Sequence, residues 1–167
     1  MIEVRVDDLA FLEGEAIARP VNSALQATTT LMRRLELAGG QALANQLRVT
    51  QPLPVGSAVV TAAGDLPAEL LIHGVVSSDT EPVSADSVRR AVTSALQRAA
   101  DWQITHLALS PFGLGPGNLD VEDSAEIMID AIARHLATAR HPASVTIVVE
   151  TPDDAEIFGA RLARASA

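Results

Sequence analysis

The sequence predicts a layered α/β domain, because strand-like and helix-like segments alternate along the whole chain. Its 167 residues fit one domain, 1–167, and 48% are hydrophobic, enough for a packed core and too many for a disordered chain. No internal repeat, low-complexity linker or second composition regime interrupts it.

Each element has its own signature. IEVRV (2–6) alternates apolar and charged residues, as an edge or half-buried strand does. EAIARPV (15–21) is a second strand, which Pro20 confines to an edge or a strand end. A helical pattern runs from Thr28 to about Leu47, with Leu31, Leu35 and Ala38 on one stripe and a break at Gly39-Gly40. GSAVVTAA (56–63) and ELLIHGVV (69–76) are strands separated by the turn GDLP. Residues 85–102 repeat Val88, Ala91, Val92, Ala95, Leu96 and Ala99 at helical spacing. HLALS (106–110) and SVTIVVE (144–150) are apolar throughout, which predicts central, adjacent strands covered on both faces. Between them lies an amphipathic helix, 121–138. A last helix opens at Thr151-Pro152, a cap residue followed by proline in the first turn.

Charge and composition exclude several functions. The net charge is −9, and all twelve basic residues are arginine. Such a field repels nucleic acid and anionic membranes, and the chain lacks a basic face interleaved with aromatics. No apolar run reaches the roughly 20 residues of a membrane span, and MIEVRVDDLA is no signal peptide. A cytoplasmic location is the expectation. There is no cysteine, and the four histidines have no metal-ligand spacing, so no metal or other cofactor is called for. An anionic ligand would have to be held by local devices such as backbone N–H groups.

One loop offers such a device. Gly113-Leu114-Gly115-Pro116-Gly117-Asn118 follows a strand and precedes a helix, where α/β sheets bind ligands. Glycines there either make a plain turn or let N–H groups cradle a phosphate. Asp120, Glu122 and Asp123 compete with an anion at the start of the next helix.

Three stretches, in order, resemble the macro domain family. VRVDDLAFLEGEAIARPVNSAL resembles its opening, a strand into G-D-I-T and a second strand ending in V-N-A-A-N. PVGSAVVTAAGDLPAELLIHGVV is similar to P-x-G-x-A-x-x-T, L-P and an I-H-A-V strand. LALSPFGLGPGNLDVEDSAEIM is similar to the bacterial pattern of strand, G-T-G-V-G-G and helix. The resemblance spans nearly the whole chain. It implies a three-layer α/β/α fold around a mixed, roughly six-stranded sheet, with ADP-ribose or a related nucleotide across the strand ends.

By this resemblance Asp8 accepts from the adenine amino group, Leu9 is the aliphatic residue after it, and Asn22 shapes the distal-ribose pocket. For Asp8 and Asn22 the alternatives are a solvated turn carboxylate and a loop asparagine bonding its own backbone. Thr28 and Thr29 replace the first glycine-rich loop, and either cap the helix or touch a phosphate. Gly113, Leu114, Gly115, Gly117 and Asn118 take the diphosphate, although Pro116 deletes one donor. His73 is a structural residue at a strand end, and Trp102 is a packing residue. Leu25 stands at the second asparagine of V-N-A-A-N, and Met32 where de-ADP-ribosylating relatives carry aspartate. No aromatic follows the last strand to stack on adenine. The expected function is therefore non-catalytic, weak binding of an ADP-ribose-like molecule. The alternatives are a fold kept for protein–protein contact, and an ADP-ribosyl hydrolase or ADP-ribose phosphate phosphatase.

Overall fold

The chain alternates strands and helices in a computed structural model that describes residues 1–166. The strands are β1 (Ile2–Val6), β2 (Gly14–Asn22), β3 (Ala58–Ala62), β4 (Ala68–Ser77), β5 (His106–Leu109) and β6 (Ser144–Val149). A 3-10 turn, Leu9–Phe11, follows β1. The helices are α1 (Thr30–Ala38), α2 (Gly40–Gln46), α3 (Ala85–Asp101), α4 (Val121–Thr138) and α5 (Pro152–Ala165). Among the described residues no helix is long and apolar enough to cross a membrane.

All six strands form one mixed sheet in the order β1-β6-β5-β2-β4-β3, parallel except where β3 pairs antiparallel with β4. As expected, β5 and β6 are adjacent and central, and β1 is an edge. Alternation along each strand divides the core in two. Ala16, Ala18, Ile147 and Val149 pack on one face with residues of α3, α4 and α5. Ile17, Leu71 and Val148 pack on the other with Met32 and Leu35 of α1 and Leu43 of α2. The result is three layers.

Two expectations need correction. β2 is a central strand, although it contains Pro20. Ala18 turns its backbone toward β5, because its carbonyl accepts from Ser110 N–H at 3.3 Å. Two residues later Pro20 points the same way, beyond Leu109, the last β5 residue paired with β2. The missing N–H therefore leaves no ladder bond unmade. His73 lies in the middle of β4 rather than at its end. The helix break at Gly39-Gly40 is as expected, and Trp102 is a surface residue, 56% exposed.

His73 belongs to a buried polar network centred on Arg19, whose side chain is fully enclosed. Arg19 Nε donates to His73 Nδ1 at 3.0 Å, and its Nη2 to the Leu25 carbonyl at 3.2 Å. Its Nη1 donates to Glu36 Oε1 of α1. His73 Nδ1 is thus the acceptor, so Nε2 carries the proton and donates to Thr61 Oγ1 at 2.8 Å. Burial, and then the Arg19 charge, hold the His73 pKa well below its ordinary value. Burial also lowers the pKa of Arg19, opposed by its hydrogen bond to Glu36.

Replacing Arg19 with Met removes the shared donor and leaves His73, Leu25 and Glu36 without their partner. The expected cost is about 3–5 kcal/mol in urea unfolding; a loss below about 1 kcal/mol would contradict the network's importance. His73 also makes stability depend on pH. The folded protein keeps it neutral below 6.5, its ordinary value, while the unfolded chain protonates there. Across that window the unfolded chain binds more protons, so stability is full above about pH 6.5 and declines as pH falls below it. In His73→Gln, which keeps an acceptor and a donor, the decline between about pH 6.5 and 5 is shallower. Parallel pH profiles for the two proteins would sink the assignment.

Candidate functional site

The parallel strands all end on the same side of the sheet, so the segments after β1, β2, β5 and β6 gather there. They enclose a cleft of about 330 Å³, lined by Thr29 to Met32 and Arg34 of the α1 region, Ser110, Pro111, Leu114 and Pro116 after β5, and Glu150 and Asp154 after β6. This is the position where ligands bind open α/β sheets.

On one side stands the start of α1. Thr29 caps the helix, its Oγ1 accepting from Met32 N–H at 3.2 Å. The capping role expected for this threonine is therefore filled. Among the described residues, no hydrogen bond reaches the N–H groups of Thr30 and Leu31, as helix geometry leaves them. On the other side is the glycine-rich loop. Leu119 N–H donates to Gly113 O and Asn118 N–H to Gly115 O, both at 3.0 Å, which curls the loop on itself. Asn118 adds a longer amide bond to the Leu114 carbonyl, 3.4 Å. The N–H groups of Gly113, Leu114, Gly115 and Gly117 have no partner among the described residues.

Two glycines have identifiable reasons. Gly115 has φ +132°, and a Cβ there would lie 3.0 Å from Asn118 Nδ2 and 3.5 Å from the Thr28 carbonyl. It is where the two walls meet. Gly113 has φ +92°, and its Cβ would come within 2.7 Å of Val88 Cγ2, so this glycine serves packing against α3. The acidic start of α4 is occupied by its own cap, since Asp120 accepts from Asp123 N–H at 2.8 Å. The Asp120 charge raises the pKa of Asp123 beside it.

The remaining candidate residues are spread more widely. Asp8 caps the 3-10 turn by accepting from Ala10 N–H at 3.0 Å, and Leu9 is buried beneath it. Asp8 borders a second cavity beside the cleft. Asn22 ends β2 and spends its amide on its own loop: Oδ1 accepts from Ala24 and Gln26 N–H, and Nδ2 donates to Gln26 Oε1. It lines a separate polar hollow with Gln26, Thr50, Gln51 and Asp79, apart from the glycine loop. Leu25, at φ +60°, buries its side chain with Val21 and Val75. Position 25 therefore faces the core, whatever residue occupies it. Met32 does line the cleft, and its Sδ accepts from the Ser110 hydroxyl at 3.5 Å.

Sequence reasoning missed Arg34, Glu150 and Asp154. Arg34 is the cleft's one lining cation, 3.6 Å from Glu150, and both side chains are more than half exposed. The signal was available for the two carboxylates, which follow the carboxyl end of β6 directly. Arg34 could be found only by knowing which face of α1 turns to the cleft.

Comparison with known proteins agrees with this architecture. The macro domain family profile matches residues 18–128. An uncharacterized protein of Mycobacterium tuberculosis is 32% identical over 134 residues, which cover 80% of this chain and 37% of that protein. The chain thus spans little more than a third of that relative's length. A macro domain-containing protein of Cupriavidus necator is 27% identical over 167 residues, covering 96% of each chain. Among solved structures, the Oceanobacillus iheyensis macrodomain with ADP superposes with TM-score 0.88 at 18% identity, covering 99% of this chain and 91% of the other. The Trypanosoma brucei macrodomain in complex with ADP-ribose gives TM-score 0.84 at 15% identity, over 95% and 68%. These two likenesses establish the fold. The chain belongs to the macro domain family.

Proposed function

We propose that this macro domain binds ADP-ribose or a related adenine nucleotide diphosphate and does not hydrolyse it. The diphosphate lies between Gly113–Asn118 and the start of α1, and the adenine end lies toward Asp8 and Leu9. The carrying observation is the pair of donor rows bordering one cleft, the unpartnered N–H groups of the glycine loop and those of Thr30 and Leu31. Oriented backbone donors and a helix N-terminus attract a phosphate without any net positive charge on the protein. The ADP and ADP-ribose bound to the Oceanobacillus iheyensis and Trypanosoma brucei macrodomains support this ligand class.

The affinity is modest, because the protein carries a net charge of −9 and Pro116 lacks a donor. Each helix-end contribution is on the order of 0.3–1 kcal/mol when exposed. Arg34 adds one cation, shared with Glu150. A thioether at Met32, hydrogen-bonded to Ser110, cannot orient or deprotonate a water, which supports binding without turnover.

Titration calorimetry with ADP-ribose should give a Kd on the order of 10 μM to 1 mM, about 4–7 kcal/mol. Gly115→Glu should abolish binding, because its side chain crowds Asn118 and adds a like charge at the phosphates. Thr29→Ala loses its cap and about 1 kcal/mol of stability, with binding changed less. Undiminished binding by Gly115→Glu would place the ligand elsewhere. No heat from the parent at millimolar ligand would instead favour a fold kept for protein contacts.

Incubated with mono-ADP-ribosylated protein, the domain should release no ADP-ribose above a no-enzyme control. Turnover that disappears in Asn22→Ala or Asp8→Ala would overturn the non-catalytic reading.

A further inference from the structure

A second cavity, of about 230 Å³, lies between the 3-10 turn and α1 and is lined by Asp8, Ala10, Phe11, Leu31, Arg34, Leu35 and Ala38. It shares Leu31 and Arg34 with the cleft, so the two hollows are neighbours across one wall. Ligand sites for drug-sized molecules usually occupy roughly 300–1,000 Å³. The cleft alone sits at the bottom of that range and the second cavity below it, whereas both together suit a nucleotide-sized ligand.

Phe11 gives this cavity its chemistry. The turn buries Leu9 and Ala10 and leaves the Phe11 side chain outside, 71% exposed. Burial of its own ring thus gives the turn little stability, and any polar residue would fit the same backbone. The ring nevertheless lines a hollow that also holds a carboxylate and a guanidinium. Asp8 uses Oδ1 to cap the turn, and its Oδ2 has no hydrogen-bond partner among the described residues. An aromatic face, a carboxylate acceptor and a cation at the edge match a flat heterocycle that carries an amino group and continues into an anion.

We infer that this cavity is a base subsite in which a purine stacks on Phe11 and donates its amino group to Asp8. Arg34 stands at the junction, where the base gives way to phosphate. The inference rests on the nucleotide reading above and adds to it the residue that supplies the aromatic platform, from the first turn of the chain rather than from the end of β6.

The test is ADP calorimetry on the parent, Phe11→Ala and Phe11→Tyr, with IDP, which has a keto group in place of the amino group, as a second ligand. Phe11→Ala should weaken ADP about tenfold, the lower part of the range for base stacking. Its melting temperature should stay at the parent value, since the ring is exposed, and Phe11→Tyr should bind like the parent. The parent should prefer ADP to IDP, and Asp8→Asn should reduce that preference. ADP affinity within twofold of the parent in Phe11→Ala, or equal parent affinity for ADP and IDP, overturns the subsite alone. A parent that binds no ADP overturns the subsite together with the nucleotide reading.

Discussion

The buried guanidinium of Arg19 is the constraint on which the cleft depends, because it joins elements that no apolar contact could align. From one position in β2 it reaches β4 through His73, α1 through Glu36, and the β2–α1 connection through the Leu25 carbonyl. That connection includes a leucine at φ +60°, a conformation a branched side chain adopts only when held. Ala27 then bridges back to Val21, and two residues later Thr29 caps α1. The start of α1, one wall of the cleft, is thereby set by a hydrogen-bonded cation beneath it. A buried ion pair is weak evidence for stability by itself, since apolar replacements often do as well. No apolar side chain can hold a carbonyl, however, and position 19 has a carbonyl to hold.

The same economy of charge governs the ligand side. An acidic domain cannot attract an anion through its overall field, so the attraction must be local and short-ranged. The glycine loop and the α1 terminus supply neutral donors, while the acidic terminus of α4 is closed by Asp120. The phosphate site is therefore the loop before α4 rather than the end of that helix. This explains how three carboxylates, at Asp120, Glu122 and Asp123, coexist with an anion site a few residues away.

Much of the fold was legible because its signals are local. Helical spacing located α3 and α4, continuous apolar runs located β5 and β6, and Thr151-Pro152 marked the start of α5. Pro20 misled because its effect depends on which neighbour its nitrogen faces, a fact of register rather than of sequence. Arg19 escaped for a related reason: a charge in a strand reads as solvent-facing until His73 is seen directly opposite on β4. In the site, the glycine loop was legible since glycine chemistry is intrinsic to the residue. Phe11 and Arg34 were not, because lining a cavity is a property of how elements meet. Leu25 illustrates the opposite error, a position judged by residue type whose side chain faces the core.

The Arg34–Glu150 pair shows how a cation can be kept ready in an acidic cleft. At 3.6 Å, with both side chains more than half exposed, the pair is worth about 0–1 kcal/mol. That is enough to bias where the guanidinium rests and too little to hold it against a phosphate, which offers bidentate, doubly charged acceptors. Glu150 and Asp154 also keep the cleft mouth negative, so an anion that enters must make close contacts with the donors to remain. Binding in such a cleft is selective for shape before it is strong. A free phosphate gains only the loop and Arg34, while a ligand that also carries a base can reach the cavity beyond Leu31.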